Sequence, residues 1–83
     1  MKNFVVELPE PEVIDGKEVG AIEFREPYGE DLEEIVGVDK PGRAITELAA
    51  KLAINVAITP DDVRRFKGKN YLAISKELVG FLG

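Results

Sequence analysis

The dipeptide Asp15-Gly16 is the feature that most constrains how this chain can fold. Val13-Ile14 precedes it and Lys17-Glu18-Val19 follows it, and Asp-Gly supplies the positive φ angles that a tight type I′ turn requires. The flanking residues therefore predict a β-hairpin over about residues 3–26. Its first strand alternates with a period of two, and the residues that we expect to face the core are Phe4, Val6 and Leu8.

The two strands of this hairpin cannot keep one register along their whole length. A two-residue turn pairs residues whose numbers sum to 31, so Glu7 would oppose Phe24 and Val6 would oppose Arg25. Opposed residues share a face of the sheet, and the apolar faces of the two strands would then disagree. We therefore expect a bulge or break at residues 10–12, between two prolines, that shifts the register by one residue.

Beyond the hairpin the apolar residues recur at helical spacing, three or four positions apart. Thr59-Pro60-Asp61-Asp62 marks one helix start, because threonine can cap, proline suits the first helical position and the later acid resembles a capping box. Gly37 is a plausible helix stop, and residues 38–42 are expected to form a loop. The predicted helices cover about residues 29–37, 43–57, 60–67 and 70–82. A hairpin followed by three to four short helices predicts a single α+β domain over residues 1–83.

Composition excludes several kinds of chemistry. The chain has 83 residues, a formal net charge of −5, and neither cysteine nor histidine, so thiolate or imidazole metal sites, Ser–His nucleophiles and disulfides are impossible. We expect no enzymatic activity, no cofactor and no metal site. No stretch has the pattern of a signal peptide or a membrane span, which favours a soluble cytoplasmic chain without a membrane partner. So small a chain can build only a thin core, and self-association is a fair expectation.

The charge is divided unevenly along the chain. Residues 1–39 carry a net charge of −9 and residues 40–83 carry +4. One interpretation is that these are solvated surface charges whose segregation along the chain has no function. The other is that the opposite charges of the two halves help copies of the chain to assemble head to tail. The acids at positions 30, 31, 33 and 34 are best explained by helix-terminus electrostatics. The basic and aromatic residues 64–71 do not outweigh an acidic domain, so no nucleic-acid partner is expected.

The predicted last helix is unusually apolar. Its apolar residues cover roughly half of a helical wheel, with Ser75 as the one polar interruption, whereas packing on one's own core needs about 100°. Either the small fold wraps this helix more fully than usual, or the apolar surface that its own core does not need contacts another subunit or a captured helix. The apolar residues are Tyr71, Leu72, Ile74, Leu78, Val79, Phe81 and Leu82.

Taken end to end, the chain resembles the tail assembly chaperones of long-tailed phages and prophages. The segments that carry the resemblance are Leu8-Pro9, Ile14-Asp15-Gly16-Lys17-Glu18-Val19, Phe24-Arg25-Glu26-Pro27, Asp31-Leu32, Ile45-Thr46-Glu47-Leu48-Ala49-Ala50-Lys51-Leu52, Thr59-Pro60 and residues 71–82. Two positions depart from the family's pattern. Tyr28-Gly29 stands where relatives often have a capping threonine, and residues 67–70 are basic where relatives carry an acid.

The resemblance implies a non-enzymatic chaperone that binds the tape measure protein, a long and aggregation-prone helical chain, and keeps it soluble during tail tube assembly. It also implies a homo-oligomer in the bacterial cytoplasm, and a frameshifted longer form that recruits tail tube protein. Four residues are our candidates for partner contact: Leu72, Val79 and Phe81, with Arg25 as an anchor that pairs with an acid. The alternative is a small oligomeric regulatory or structural interaction module unrelated to tails.

Overall fold

The Asp15-Gly16 turn joins two antiparallel strands in the computed structural model, which describes residues 3–36 and 41–82. Strand β1 is Phe4–Ile14 and strand β2 is Lys17–Phe24. Asp15 has a φ of 54° and Gly16 a φ of 76°. These are the left-handed angles that a type I′ turn needs, and the predicted hairpin is confirmed.

The register of the hairpin changes once. Ile14 pairs with Lys17 beside the turn, whereas Val6 pairs with Ile22 farther out, so the sum of paired numbers falls from 31 to 28. The change lies between Glu7 and Glu12, which confirms the predicted break. Its predicted size of one residue is wrong, because β1 contains three extra residues. Because the shift is an odd number of residues, the apolar faces of the two strands agree again: Val6 pairs with Ile22 instead of Arg25, and both Val6 and Ile22 are buried.

Helices make up most of the remaining described chain. Within the described residues there are four of them: α1 (Gly29–Val36), α2 (Pro41–Leu52), α3 (Pro60–Arg64) and α4 (Gly68–Leu82). A hairpin followed by these helices confirms the α+β class. Among the described residues, none of the helices has both the length and the hydropathy required to cross a bilayer.

Several helix boundaries differ from those predicted. Helix α2 begins at Pro41, within the expected loop, while the expected stop at Gly37 and residues 38–40 lie outside the described part of the chain. Helix α3 ends at Arg64 rather than at residue 67. Helix α4 begins at Gly68, two residues before its predicted start at residue 70. The Thr59 cap is confirmed, because its hydroxyl accepts from the Asp62 amide while the Asp62 carboxylate accepts from the Thr59 amide.

Residues 53–57 were predicted to be helical, and this prediction is wrong. Helix α2 ends at Leu52, and Ala53 forms a β-bridge with Phe24. The Arg25 amide donates to the carbonyl of Leu52, and the Ile54 amide donates to the carbonyl of Glu23, at 2.9 Å each. The free edge of β2 therefore recruits this segment, because backbone groups at a strand edge favour an extended partner over another helical turn.

A single apolar core lies between the inner face of the hairpin and the helices. Phe4 and Phe24 stack across the strands with ring centroids 5.5 Å apart. Val63 and Phe66 are also part of this core. The fully buried apolar side chains of the core are Ile22, Phe24, Leu48, Ala49, Leu52, Val63, Ile74 and Leu78.

Candidate functional site

Arg25 follows the end of β2 and forms an ion pair with Asp31 in α1. Its Nη1 lies 2.7 Å from Oδ2 of Asp31, and its Nη2 lies 3.0 Å from Oδ1, so the pair is bidentate. Nη1 also donates to the carbonyl of Glu26 at 3.2 Å, and the guanidinium carbon lies 5.4 Å from the centre of the Tyr28 ring. The expected pairing of Arg25 with an acid is present, and it fixes the first turn of α1 to the end of the sheet.

Asp31 also contributes to the N-terminal cap of α1. Its Oδ2 accepts a hydrogen bond of 2.8 Å from the Tyr28 amide, three residues earlier, and the Tyr28 carbonyl accepts from the Asp31 and Leu32 amides. This is half of a capping box, in which the acid contacts the backbone of the cap residue Tyr28 while the side chain of that residue is an aromatic ring.

The hydrogen bonds of this cluster stabilise the charged forms of both Asp31 and Arg25. Hydrogen bonding from Arg25, and then from the Tyr28 amide, lowers the pKa of the Asp31 carboxyl from 3.8 to about 2. The same hydrogen bond raises the pKa of Arg25 above its ordinary value. Arg25 is thus held within its own fold, and only the remaining exposed edge of its guanidinium is accessible to a partner.

Helix α4 carries the other candidate residues. Leu72 is 67% exposed and Val79 is 53% exposed, although both are large apolar side chains. They are seven residues apart and therefore lie on the same side of the helix, together with the exposed Lys69 and Lys76. We name these four residues the α4 outer face. Phe81 belongs to the helix, but its side chain lies outside the described part of the structure.

The opposite side of α4 packs against β1 and α2 through Ile74 and Leu78. Part of the broad apolar circumference seen in the sequence is therefore core. Leu72 and Val79 belong to the part that the core does not cover. An exposed apolar pair on a helix of such a small domain is available for contact with a partner.

Asn70 is a buried residue of α4 that the sequence analysis missed. Its Oδ1 accepts from the Glu10 amide at 3.1 Å, and its Nδ2 donates to the Glu10 carbonyl at 2.7 Å and to a Glu12 carboxylate oxygen at 2.6 Å. The side-chain amide thus takes the place of a neighbouring strand at the register break. It positions the first turn of α4 on the hairpin, and the Lys67 amide adds a hydrogen bond to Glu12.

Asn55 has an equivalent role at the outer edge of β2. Its Oδ1 accepts from the Glu23 amide at 2.9 Å, and its Nδ2 donates to the Ala21 carbonyl at 3.1 Å. The one sequence signal for Asn55 was its position as a polar interruption in an apolar run. Each asparagine side chain pairs a C=O acceptor with N–H donors in the geometry of a peptide group, which suits it to satisfying a strand edge.

The described residues contain no group of three or more carboxylates that could hold a metal ion. Within the acidic run of α1, Asp31 pairs with Arg25, and Glu34 forms an ion pair with Lys51 of α2. The Glu34 contact raises the pKa of Lys51. Both pairs connect α1 to neighbouring elements and act in packing.

Comparisons with known proteins give no assignment. No family model, no curated protein and no solved structure matches the chain.

Proposed function

We propose that this chain is a non-enzymatic tail assembly chaperone that binds the tape measure protein of a long-tailed phage or prophage. Binding keeps the tape measure protein soluble in the bacterial cytoplasm while tube subunits assemble around it. A frameshifted longer form would bring tail tube protein to the same complex. Two things support the proposal: the series of sequence motifs that resembles this family, and the α4 outer face.

The observation that carries the proposal is the exposure of Leu72 and Val79 on a helix that is otherwise well packed. Seven helical residues separate them by about 10 Å along the axis. This spacing suits contact with a second helix, whose apolar residues also recur about every seven positions. Covering apolar side chains of an aggregation-prone helical client would prevent those side chains from associating with one another.

Phe81 and Arg25 complete the proposed contact region. Phe81 follows Val79 by two residues on the same helix and is retained from the sequence. Arg25 keeps one edge of its guanidinium exposed beside the Tyr28 ring, which is itself half-exposed. An arginine next to an aromatic ring is a composition typical of interface hot spots.

The first test is whether a neighbouring gene encodes a tape measure protein, and the experiment is co-expression with that protein. We expect the wild type to keep the tape measure protein in the soluble fraction and to copurify with it. A Leu72→Glu/Val79→Glu variant should lose both effects, because two buried carboxylates would oppose an apolar contact. Its circular dichroism and thermal melting should match those of the wild type, since both positions are exposed.

The matched control is Val13→Glu, which places the same substitution on an exposed valine of the hairpin. This variant should still solubilise the client. If the wild type neither solubilises the tape measure protein nor forms a complex with it, the chaperone proposal is wrong, and the alternative of an unrelated interaction module gains support. If Val13→Glu and the α4 variant fail equally, the contact is not on α4.

A further inference from the structure

The two lysines of the α4 outer face, Lys69 and Lys76, have no acidic partner in the part of the chain that the structure describes. The ion pairs described there join Arg25 to Asp31, Arg43 to Glu47, Lys51 to Glu34 and Arg64 to Asp61. A helical side chain reaches the residues three and four positions away, and at those distances from either lysine α4 carries only leucine, alanine, valine and glycine. Within the described chain, both ammonium groups are therefore available to an acid from outside.

Both lysines border the apolar pair along the same edge. With about 3.6 residues per turn, Lys76 lies about 40° and Lys69 about 60° from Leu72 around the helix, in the same direction, whereas Val79 lies about 20° in the other direction. Gly80 continues the lysine edge, and no neighbouring atom lies within 4 Å of the point where a side chain would begin there. A helix that covers the apolar pair must therefore place one of its own edges along both ammonium groups.

We propose that the α4 outer face recognises helices whose apolar residues recur at heptad spacing and are bordered on one side by Asp or Glu. A carboxylate opposite each lysine forms an ion pair at the rim of the apolar contact, whereas a lysine or arginine in that place is repelled. The lysine stems extend the apolar surface while their ammonium groups stay at its edge. This inference rests on the proposed function, because it takes the face to be the client site, and it adds the chemistry that selects one segment of a long helical client.

The exposed apolar residues of the hairpin have acidic neighbours instead of basic ones. Val5 is 60% exposed and pairs with Glu23, and Val13 is 72% exposed and pairs with Glu18. Residues that pair across two strands share a face of the sheet. An acid-bordered helix would therefore be repelled at the hairpin, and the charges direct such a client to α4.

An anionic membrane also attracts lysines, but the fold favours an acidic helix as the occupant. Helices that bind membrane surfaces present a broad apolar face and several basic residues, whereas the α4 outer face has two residues of each kind. The formal net charge of −5 also opposes the approach of the whole chain to an extended anionic surface. A single helix contacts only the α4 outer face, where the charge is positive.

The test uses the purified full chain and two synthetic helical peptides of identical composition. Each peptide has about three heptads with leucine at the contact positions. One carries glutamates beside the leucines and lysines on its far side, and the other has these charges exchanged, so the two peptides have the same net charge. Fluorescence anisotropy of trace labelled peptide gives the dissociation constants. We expect the acid-bordered peptide to bind at least about tenfold more tightly at low salt, and the ratio to approach one at about 1 M salt.

Three variants locate the preference on the lysines. Lys69→Glu/Lys76→Glu should reverse it in favour of the lysine-bordered peptide, and Lys69→Gln/Lys76→Gln should bind the two peptides about equally. The matched control is Lys17→Glu/Arg65→Glu, which changes the net charge as much as the first variant does, at exposed positions outside α4. The control should keep the preference of the wild type. Circular dichroism verifies that each variant is folded.

Four results would overturn the proposal: no binding of the acid-bordered peptide up to about 1 mM, equal affinity of the wild type for the two peptides, a preference that survives the lysine reversal, or a control that loses the preference. Cosedimentation with vesicles of phosphatidylserine and phosphatidylcholine, without peptide binding, would also overturn it and would assign the face to a lipid surface.

The outcome is separable from that of the co-expression experiment, because neither peptide contains tape measure sequence. If the tape measure protein is kept soluble but the peptides bind equally, the chaperone proposal stands and the selection by charge is wrong. If the peptides bind as expected but the tape measure protein stays insoluble, recognition of acid-bordered helices stands and the identity of the client is wrong.

Discussion

The ion pair between Arg25 and Asp31 should make the stability of the fold depend on acid pH. The pKa of Asp31 falls from 3.8 to about 2 in the folded state, chiefly through the hydrogen bond from Arg25. A carboxyl whose pKa is lowered by folding stabilises the fold fully above its unfolded pKa, and this stabilisation is lost as the pH falls through the folded value. The relevant window therefore extends from about pH 5 down to about pH 2.

The magnitude follows from the pKa and from the exposure of the pair. A lowering to about 2 corresponds to about 2 kcal/mol at neutral pH. The Asp31 side chain is 8% exposed and that of Arg25 is 29% exposed. Solvent screening of the arginine reduces the expected contribution to about 1–2 kcal/mol.

The substitution Asp31→Asn removes the charge and keeps an oxygen that can accept from the Tyr28 amide. We expect it to lower the free energy of unfolding by about 1–2 kcal/mol at pH 7, and by close to zero at pH 2. Urea unfolding measured by circular dichroism at pH 7, 4 and 2 follows the difference. Glu33→Gln, at an exposed acid of the same helix, serves as the control and should stay within about 0.5 kcal/mol at each pH.

A double-mutant cycle attributes the effect to the pair. Arg25→Gln alone should cost about as much as Asp31→Asn, and the double variant should cost less than the two single variants combined, with a coupling of about 1 kcal/mol. A loss of stability that stays the same from pH 7 to pH 2 would refute this reasoning, as would strictly additive single variants. In either case the carboxylate would act through packing or capping alone.

Two further substitutions test the packing around the site. Asn70→Ala removes the side-chain amide that bonds to the backbone of Glu10, and it should lower the free energy of unfolding by about 1–3 kcal/mol and speed hydrogen exchange at the Glu10 amide. Asn55→Ala, at an exposed position, should lower it by about 0.5–1.5 kcal/mol. Equal losses for the two variants would contradict the importance of burial. Leu48→Ala in the core should lower the free energy of unfolding, measured by heat or urea, by about 2–5 kcal/mol. Leu72→Ala should change it by no more than about 0.5 kcal/mol, because Leu72 is exposed. A comparable loss at Leu72 would show that this side of α4 is covered.

Local chemistry explains the parts of the fold that the sequence predicts well. Positive φ angles at Asp15-Gly16 and the capping box that starts at Thr59 each involve groups within a few residues of one another. The need for a register break also follows from the sequence, because the parity of the apolar positions is visible in it. Such features require no knowledge of how distant segments meet.

Distant contacts explain what the sequence could not predict. The break contains three extra residues rather than one because Glu10 is held by Asn70, sixty positions away. The expected helix over residues 53–57 is replaced by a β-bridge at Ala53 and irregular chain after it, because Ile54 and Asn55 bond to the edge of β2. Helical spacing of apolar residues does not show that such an edge needs a partner.

In the candidate site, too, part could be predicted from the sequence and part depends on contacts between distant segments. Exposure of Leu72 and Val79 matches the excess apolar surface expected from a helical wheel, because the core can cover only one side of a helix. Arg25 was expected to pair with an acid, but several acids follow it in the sequence, and only the fold shows that Asp31 is the partner. Capping and ion pairing converge on that residue because it lies three positions after Tyr28, the residue that precedes α1.

The covered outer edge of β2 bears on how partners can bind. A two-stranded hairpin with a free edge invites an added strand from another chain. From Ala21 to Arg25, however, that edge already bonds to Leu52, Ile54 and Asn55, so strand addition there would first have to displace native hydrogen bonds. Docking on the α4 outer face breaks no such bonds, because that face presents side chains. The hydrogen bonds of this edge therefore favour association through side-chain faces, which is the mode that the proposed client contact requires.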